Sequence, residues 1–286
     1  MDNKQKGLIF IVFSSILLSL SYIFFTILLR KESISNVLFY WFLSAFIFSL
    51  IFSLKEKHKV LSEIKGKFSL LIFLGLAEGL ASIFFLTGLK NIGPVLTSFI
   101  TQFVFVFVLI YSLILLKEKF NLPEFLGIIF AIIGVFIINW NQGISFVKGT
   151  FLVLVASFFF ATSSFIAKKY IKNISPKTIN LVRLSFIALF GLLYSFFQGI
   201  TLTLEVANIP LLIIGSFLCA FLGFELFYNS LKYLKLGTSN TIRALAPIFT
   251  IFFAFIVFSE LPNFIQIIGS FLILGGVLLL IKWQKR

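Results

Sequence analysis

An all-α membrane protein of ten transmembrane helices, built as two inverted five-helix repeats, is the fold that three features of this sequence predict. The first is composition: of 286 residues, 60% are hydrophobic and only 12% charged, with a mean hydropathy of +1.12. A soluble domain carries roughly 25% charged residues and needs them to cover a water-facing surface. The second is length, because the apolar residues gather into runs near the ~20 residues that a helix needs to cross a bilayer. The third is self-similarity, because polar landmarks of the first half recur in the second at one constant offset of 142 residues.

Ten apolar runs follow one another: 7–29, 34–54, 68–89, 93–116, 122–140, 149–168, 178–198, 209–231, 236–258 and 263–282. The first follows Lys4 and Lys6 as a signal peptide would. Its 23 residues, however, exceed the usual 7–15-residue apolar core, and no small-residue cleavage site follows. It is read as a spanning helix. Strands are excluded by run length and by the lack of apolar–polar alternation. Connections are short, and the longest, Lys55 to Lys67 (KEKHKVLSEIKGK), is expected to be a solvated cytoplasmic loop.

Lysine and arginine placement sets the expected orientation. With the N-terminus inside, the cytoplasmic segments hold 18 basic residues and the opposite side 4, with Arg183 and Arg243 left inside helices. Cytoplasmic loops collect positive charge, so both termini are expected in the cytoplasm and the chain in the cytoplasmic membrane. The same distribution accounts for the net charge of +14 without a nucleic-acid partner. One cysteine, Cys219, and one histidine, His58, exclude an intrachain disulfide framework, Cys- or His-based metal sites and a His-dependent triad. No cofactor is expected. No phosphate-binding P-loop motif occurs, which argues against direct ATP drive.

The offset of 142 superposes Lys6-Gly7 on Lys148-Gly149, Ser21 on Ser163, Leu89-Lys90 on Leu231-Lys232, Glu118 on Glu260, Gly127 on Gly269 and Gly134-Val135 on Gly276-Val277. Matches among Gly, Glu, Ser and Lys are costly to obtain by chance in a Phe- and Ile-rich chain. The halves divide as residues 1–141 and 142–286. Five helices per half is an odd number, so the second copy enters the membrane inverted. Inverted repeats suit alternating access around a site at mid-membrane.

The stretch Arg243-Ala-Leu-Ala-Pro247, then Glu260, Ile267-Ile-Gly269 and Gly275-Gly276-Val277, resembles the end of an EamA repeat of the drug/metabolite transporter superfamily. The first half matches with Glu118, Gly127 and Gly134-Val135, although Phe105 stands opposite Pro247. The resemblance covers essentially the whole chain. It implies a carrier of amino acids, other metabolites or drugs, with helices 1–4 and 6–9 around a central cavity and helices 5 and 10 at the periphery. An Arg early in the second helix of a repeat is frequent in that family. Arg183 fits it, whereas its counterpart here is Trp41.

Ionisable side chains inside a membrane are costly, so each asks for an explanation. Glu78 lies near mid-depth in the third run with Gly75 and Gly79 beside it, open to a role as substrate-amine partner, proton-coupling carboxylate or interhelical glue. Arg183, Glu225 and Arg243 share a depth in runs seven to nine and are expected to pair, as an inner gate or a structural ion-pair cluster. Arg243 precedes Pro247 by one turn, and that proline is expected to kink its helix. Tyr22, Trp41, Ser98, Thr101, Gln102, Tyr228 and Asn240 supply polar groups at helix depth, for the solute pathway or for interhelical hydrogen bonds. Thr97 and Asn229 belong to the same set.

The leading expectation is a secondary transporter moving small organic solutes, amino acids or related metabolites, by alternating access. Export is expected from the resemblance, and proton coupling is left open with Glu78. A nucleotide-sugar or other anionic-metabolite carrier is the alternative, and a non-transporting sensor or scaffold is the alternative of another class. An enzyme is not expected. Monomer and homodimer both stay open.

Overall fold

The computed structural model describes residues 2–116, 122–234, 239, 242–259 and 261–283, and among these every regular element is helical. The helices are labelled α1 (Asn3–Leu29), α2 (Ile34–Gly66), α3 (Phe68–Ile100), α4 (Phe103–Leu116), α5 (Leu122–Ile138), α6 (Ile144–Tyr170), α7 (Pro176–Gln198), α8 (Val206–Tyr233), α9 (Ala246–Phe258) and α10 (Phe264–Trp283). Six of them, α1, α2, α3, α6, α7 and α8, are long and apolar enough to cross a membrane. Leu122–Ile138, Ala246–Phe258 and Phe264–Leu279 are apolar but shorter.

Local chemistry sets the boundaries. Ser33 accepts a hydrogen bond from the Asn36 N–H, and Ser175 accepts one from the Thr178 N–H just ahead of Pro176. Each caps orphan donors at a helix start. Gly199 ends α7 in the left-handed conformation (φ 63°), which costs glycine nothing. The segment expected as a solvated loop departs from that expectation, because Lys57–Gly66 is helical at the end of α2. Its Val60 and Ile64 are four apart and so share one face. Val60 is buried and Ile64 packs on the core, while the lysines point outward.

The fourth predicted run also differs. Helix α3 passes the expected loop, interrupted only by Gly93 in the left-handed region (φ 76°), and continues from Pro94 to Ile100. The chain then breaks at Thr101–Gln102 and resumes as α4. Across the break, Gln102 N–H bonds Phe99 O (3.1 Å), Val104 N–H bonds Thr101 O (3.0 Å) and Phe105 N–H bonds Gln102 O (3.0 Å). These are tightened, three-residue turns. Within a residue of the repeat equivalent, Leu245 N–H bonds Ile242 O (3.1 Å) and Ile248 N–H bonds Leu245 O (3.0 Å). Pro247 therefore occupies the first turn of α9, where its missing N–H costs no helical bond. The expected mid-helix kink is instead a helix start.

Glycine contacts recur by two-fold exchange. A Cβ added at Gly134 would lie 2.5 Å from the Gly269 carbonyl oxygen, and one at Gly276 would lie 2.5 Å from the Gly127 carbonyl oxygen. So α5 and α10 pack backbone to backbone and antiparallel. Likewise Gly7 of α1 abuts Tyr233 of α8 and Leu234 just beyond it, and Gly149 of α6 abuts Asn91 and Ile92 of α3. Each residue of the second contact stands 142 from its partner in the first.

Two carboxylates clasp loops at opposite ends of the bundle. Glu32, 6% exposed, accepts bonds from Asn36 Nδ2 (3.0 Å), Asn208 Nδ2 (2.8 Å) and the Glu205 N–H (3.0 Å). Asn36 Nδ2 also donates to Thr203 O, and Tyr40 Oη donates to Leu202 O (3.1 Å). Burial opposes ionisation of Glu32, but these donors outweigh it and hold its carboxyl below its ordinary value. At the other end, Glu63 accepts from the Ser175 N–H (3.0 Å), Ser175 Oγ (2.8 Å) and Thr178 Oγ1 (2.5 Å). Beside it, Lys177 pairs with Glu56 at 2.6 Å.

Candidate functional site

A cavity of about 90 Å³ opens between the two halves, room for a few waters or part of one compact solute. Its wall is built from repeat-equivalent positions. Tyr22 and Ser164, Trp41 and Arg183, Glu78 and Ala220, and Thr101 and Arg243 are each 142 apart, and all eight line it. Rings of Phe25, Phe42, Phe85, Phe160, Phe224 and Phe227 complete a mainly apolar surface. The geometry is close to symmetric and the chemistry is not: Glu78 comes from the first half, and both arginines come from the second.

Helix packing puts Glu78 in place. A Cβ on Gly75 would fall 2.4 Å from the Phe186 ring, and one on Gly79 would fall 2.4 Å from the Phe190 ring. The two glycines thus seat two α7 phenylalanines and draw α7 against α3. One turn before Phe186 along α7, Arg183 Nε meets Glu78 Oε2 at 3.0 Å, both residues being almost wholly buried. Ser163 Oγ of α6 donates to the other oxygen, Oε1. The guanidinium of Arg183 also lies over Phe224, 3.4 Å from the ring centroid, and that of Arg243 lies over Phe227 at 4.3 Å. Arginine over a ring face is attractive and keeps the charge while shedding water.

The expected pairing of Arg183 with Glu225 is thereby corrected. Similar depth in sequence does not fix helix rotation, and the rotation of α7 turns Arg183 toward α3. Glu225 is held by its own helix, with Oε1 accepting from Asn229 Nδ2 at 3.2 Å. Its Oε2 is buried without a partner among the described residues, and the residue is not on the cavity wall.

Of the other expected residues, Tyr22, Trp41, Thr101 and Tyr228 reach the cavity. Trp41, fully buried, packs against Phe25 (4.6 Å between centroids) while its Nε1 has no described partner. Ser98 and Gln102 do not line it. Ser98 Oγ bonds Val95 O (2.6 Å) within its own helix, and Gln102 Nε2 bonds Ser98 O (3.2 Å), a carbonyl that the Gln102 N–H leaves at the helix break. Asn240 lies outside the described residues, as do Glu118 and Glu260. Ser163 and Ser164 were not singled out as site residues. The signal was available in the match of Ser163 with Ser21, because Ser21 and Ser164 both line the cavity.

Among the described residues no group of three or more His, Cys, Asp or Glu side chains is placed to hold a metal. What the cavity offers is charge and hydrogen-bond donors inside an aromatic shell, which suits binding and release of a solute.

Comparison with known proteins agrees in kind. A profile of the EamA-like transporter family matches residues 5–140 and again 147–282. The chain is 25% identical to an "Uncharacterized transporter" of Methanothermobacter thermautotrophicus over 217 residues, which cover 74% of this chain and 63% of that one. It is 24% identical to "Uncharacterized transporter YyaM" of Bacillus subtilis, over 68% of this chain and 66% of that one. These two matches therefore span less than two thirds of the relatives' lengths. "Uncharacterized transporter YetK", also of Bacillus subtilis, is 23% identical over 85% of this chain and 76% of its own. A solved structure titled "Crystal structure of protein" superposes over 100% of both chains with a TM-score of 0.69 at 14% identity, which is likeness of fold. A family profile met twice along a chain of apolar helices, around a cavity walled by both copies, places the chain in the EamA-like transporter family.

Proposed function

We propose that the chain is a secondary carrier that moves small organic solutes, amino acids or related metabolites, outward across the cytoplasmic membrane by alternating access, with both termini in the cytoplasm. The observation that carries the reading is the cavity walled by equivalent positions of both repeats and holding the buried Glu78–Arg183 pair beside Arg243. A site shared by two similar halves is where rocking of one half against the other would expose a solute to each side in turn. The helix breaks at Thr101–Gln102 and Ala244–Leu245 fit this reading, because irregular backbone at membrane depth is tolerated where it lines a cavity. A polyanionic solute such as a nucleotide sugar is less well supported. Glu78 already neutralises Arg183, which leaves Arg243 as the uncompensated cation among the cavity's described residues.

The test is counterflow of a pooled panel of labelled amino acids and metabolites in proteoliposomes, with and without a pH gradient, for wild type and Glu78→Gln. Flux that responds to the gradient only in wild type makes Glu78 the proton-coupling group. Flux equal in the two proteins makes Glu78 a structural partner of Arg183, and absence of flux for every solute removes the carrier reading.

A further inference from the structure

We propose that the cavity takes the carboxylate end of a monocarboxylate with an apolar, ring-sized body, and takes it in preference to the amino acid or the amine of the same body. The inference narrows the solutes of the carrier reading from amino acids to related carboxylates that lack the amine, and rests on that reading only for the statement that the bound acid is also moved.

The unmet groups of the cavity are donors. Arg183 is 3% exposed, and its Nε is spent on Glu78, but its Nη1 is buried with no partner among the described residues. Trp41, its repeat equivalent, is fully buried and presents Nε1 in the same unpartnered state. Both side chains line the cavity. A buried N–H without an acceptor loses its hydration and gains nothing, so a ligand oxygen that reaches it is rewarded twice. Arg243 adds a guanidinium that rests on the Phe227 ring, with no described carboxylate within ion-pair distance. Charge-assisted bonds to a carboxylate are the strong ones, and guanidinium geometry matches it.

The carboxylate of the same cavity is taken. Among the described residues Glu78 is its one carboxylate, with Oε2 held by Arg183 and Oε1 by Ser163. Glu225 lies off the wall and accepts from Asn229. An ammonium group entering the cavity therefore meets two arginines and no uncommitted carboxylate. With Glu78 and Arg183 cancelling, Arg243 leaves one positive charge in excess, which a monoanion balances and a zwitterion does not. The phenylalanine rings of the wall provide for the rest of the ligand an apolar surface that its body fills at the expense of water.

Three ligands with one body separate these demands: 3-phenylpropionate, phenylalanine and phenethylamine. Their binding to the full-length protein in lipid nanodiscs is measured by calorimetry, and their counterflow is measured in proteoliposomes. The expected result is 3-phenylpropionate bound about tenfold or more tightly than either of the others, a difference of about 1.4 kcal/mol. Arg243→Gln is expected to weaken the acid by about tenfold while sparing the amine. Trp41→Phe keeps an aromatic body, removes only the indole N–H, and is expected to weaken the acid by a few-fold. Equal or tighter binding of phenylalanine or phenethylamine overturns the proposal, as does binding of the acid that neither substitution changes, or binding of none of the three at millimolar concentration. Tight binding of the acid without counterflow upholds the subsite and removes the carrier reading. Counterflow of amino acids with no preference for the acid does the reverse.

Discussion

At the scale of single residues, Glu78 and Arg183 decide one another's state. Two charges that shed water recover the cost only from mutual attraction and from hydrogen bonds to their remaining atoms. Here the Ser163 hydroxyl and the Phe224 ring face contribute those extra interactions. Removing one partner strands the other, so Arg183→Met is expected to destabilise the protein by about 3–5 kcal/mol. The double substitution Glu78→Leu with Arg183→Met is expected to recover most of that loss, because no uncompensated charge stays buried. Thermal unfolding in detergent micelles checks both. The sequence marks these residues as exceptional, since charge within an apolar run is conspicuous. It does not show which carboxylate meets which guanidinium, because that depends on helix rotation about the long axis. The glycine pair Gly75 and Gly79, read with Phe186 and Phe190 as a set of sockets and knobs, is the part of the sequence that carries this information.

At the scale of elements, glycine placement sets which helices touch. Neighbouring glycines of α10 make the point within one turn. A Cβ at Gly276 would collide with the Gly127 carbonyl and the Ala131 backbone, whereas one at Gly275 would meet nothing within 4 Å. Gly276→Ala is therefore expected to lower stability by about 1–3 kcal/mol. Gly275→Ala is expected to be neutral or slightly stabilising, since alanine favours the helix by up to about 1 kcal/mol. Thermal unfolding of the two variants side by side tests this. Helix existence was largely legible from apolar run length, and the close packing of the α5 and α10 glycines from their seven-residue spacing. Two features were not. The helical end of α2 hides in a lysine-rich stretch whose short apolar face, Val60 and Ile64, is easily missed. The breaks at Thr101–Gln102 and Ala244–Leu245 lie inside long apolar runs, where Pro247 signals an irregularity but not its place at a helix start, and where the first half has Phe105 in place of that proline.

At the scale of the whole molecule, loops at both ends are tied by carboxylates, and the Glu32 tie is expected to weaken in acid. Glu32 has a carboxyl held below its ordinary value in the folded protein. A group depressed in this way contributes stability that is present above its unfolded value and is lost as pH falls through its folded one. The midpoint of thermal unfolding is thus expected to drop from about pH 5 downward. Glu32→Gln is expected to flatten that part of the profile. An unchanged slope in the variant would assign the acid sensitivity to other carboxylates. The two-fold relation itself was legible from the offset of 142, and it predicts contacts as well as residues, as the Gly7 and Gly149 sockets show. What it hides is the division of labour, since equivalent positions hold Trp41 against Arg183 and Glu78 against Ala220.

Two stretches of wide helix bear on how such a cavity could change shape. Val37–Trp41 in α2 and Ser216–Gly223 in α8 are wound as π-helix, and Trp41, Cys219 and Ala220 within them line the cavity. A π turn holds one residue more than the α turn it replaces. Moving that surplus along the helix turns each residue it passes by about 100° about the axis. Side chains at the wall can then be exchanged for their neighbours while both ends of the helix, and the carboxylate clasps that fasten them, stay where they are.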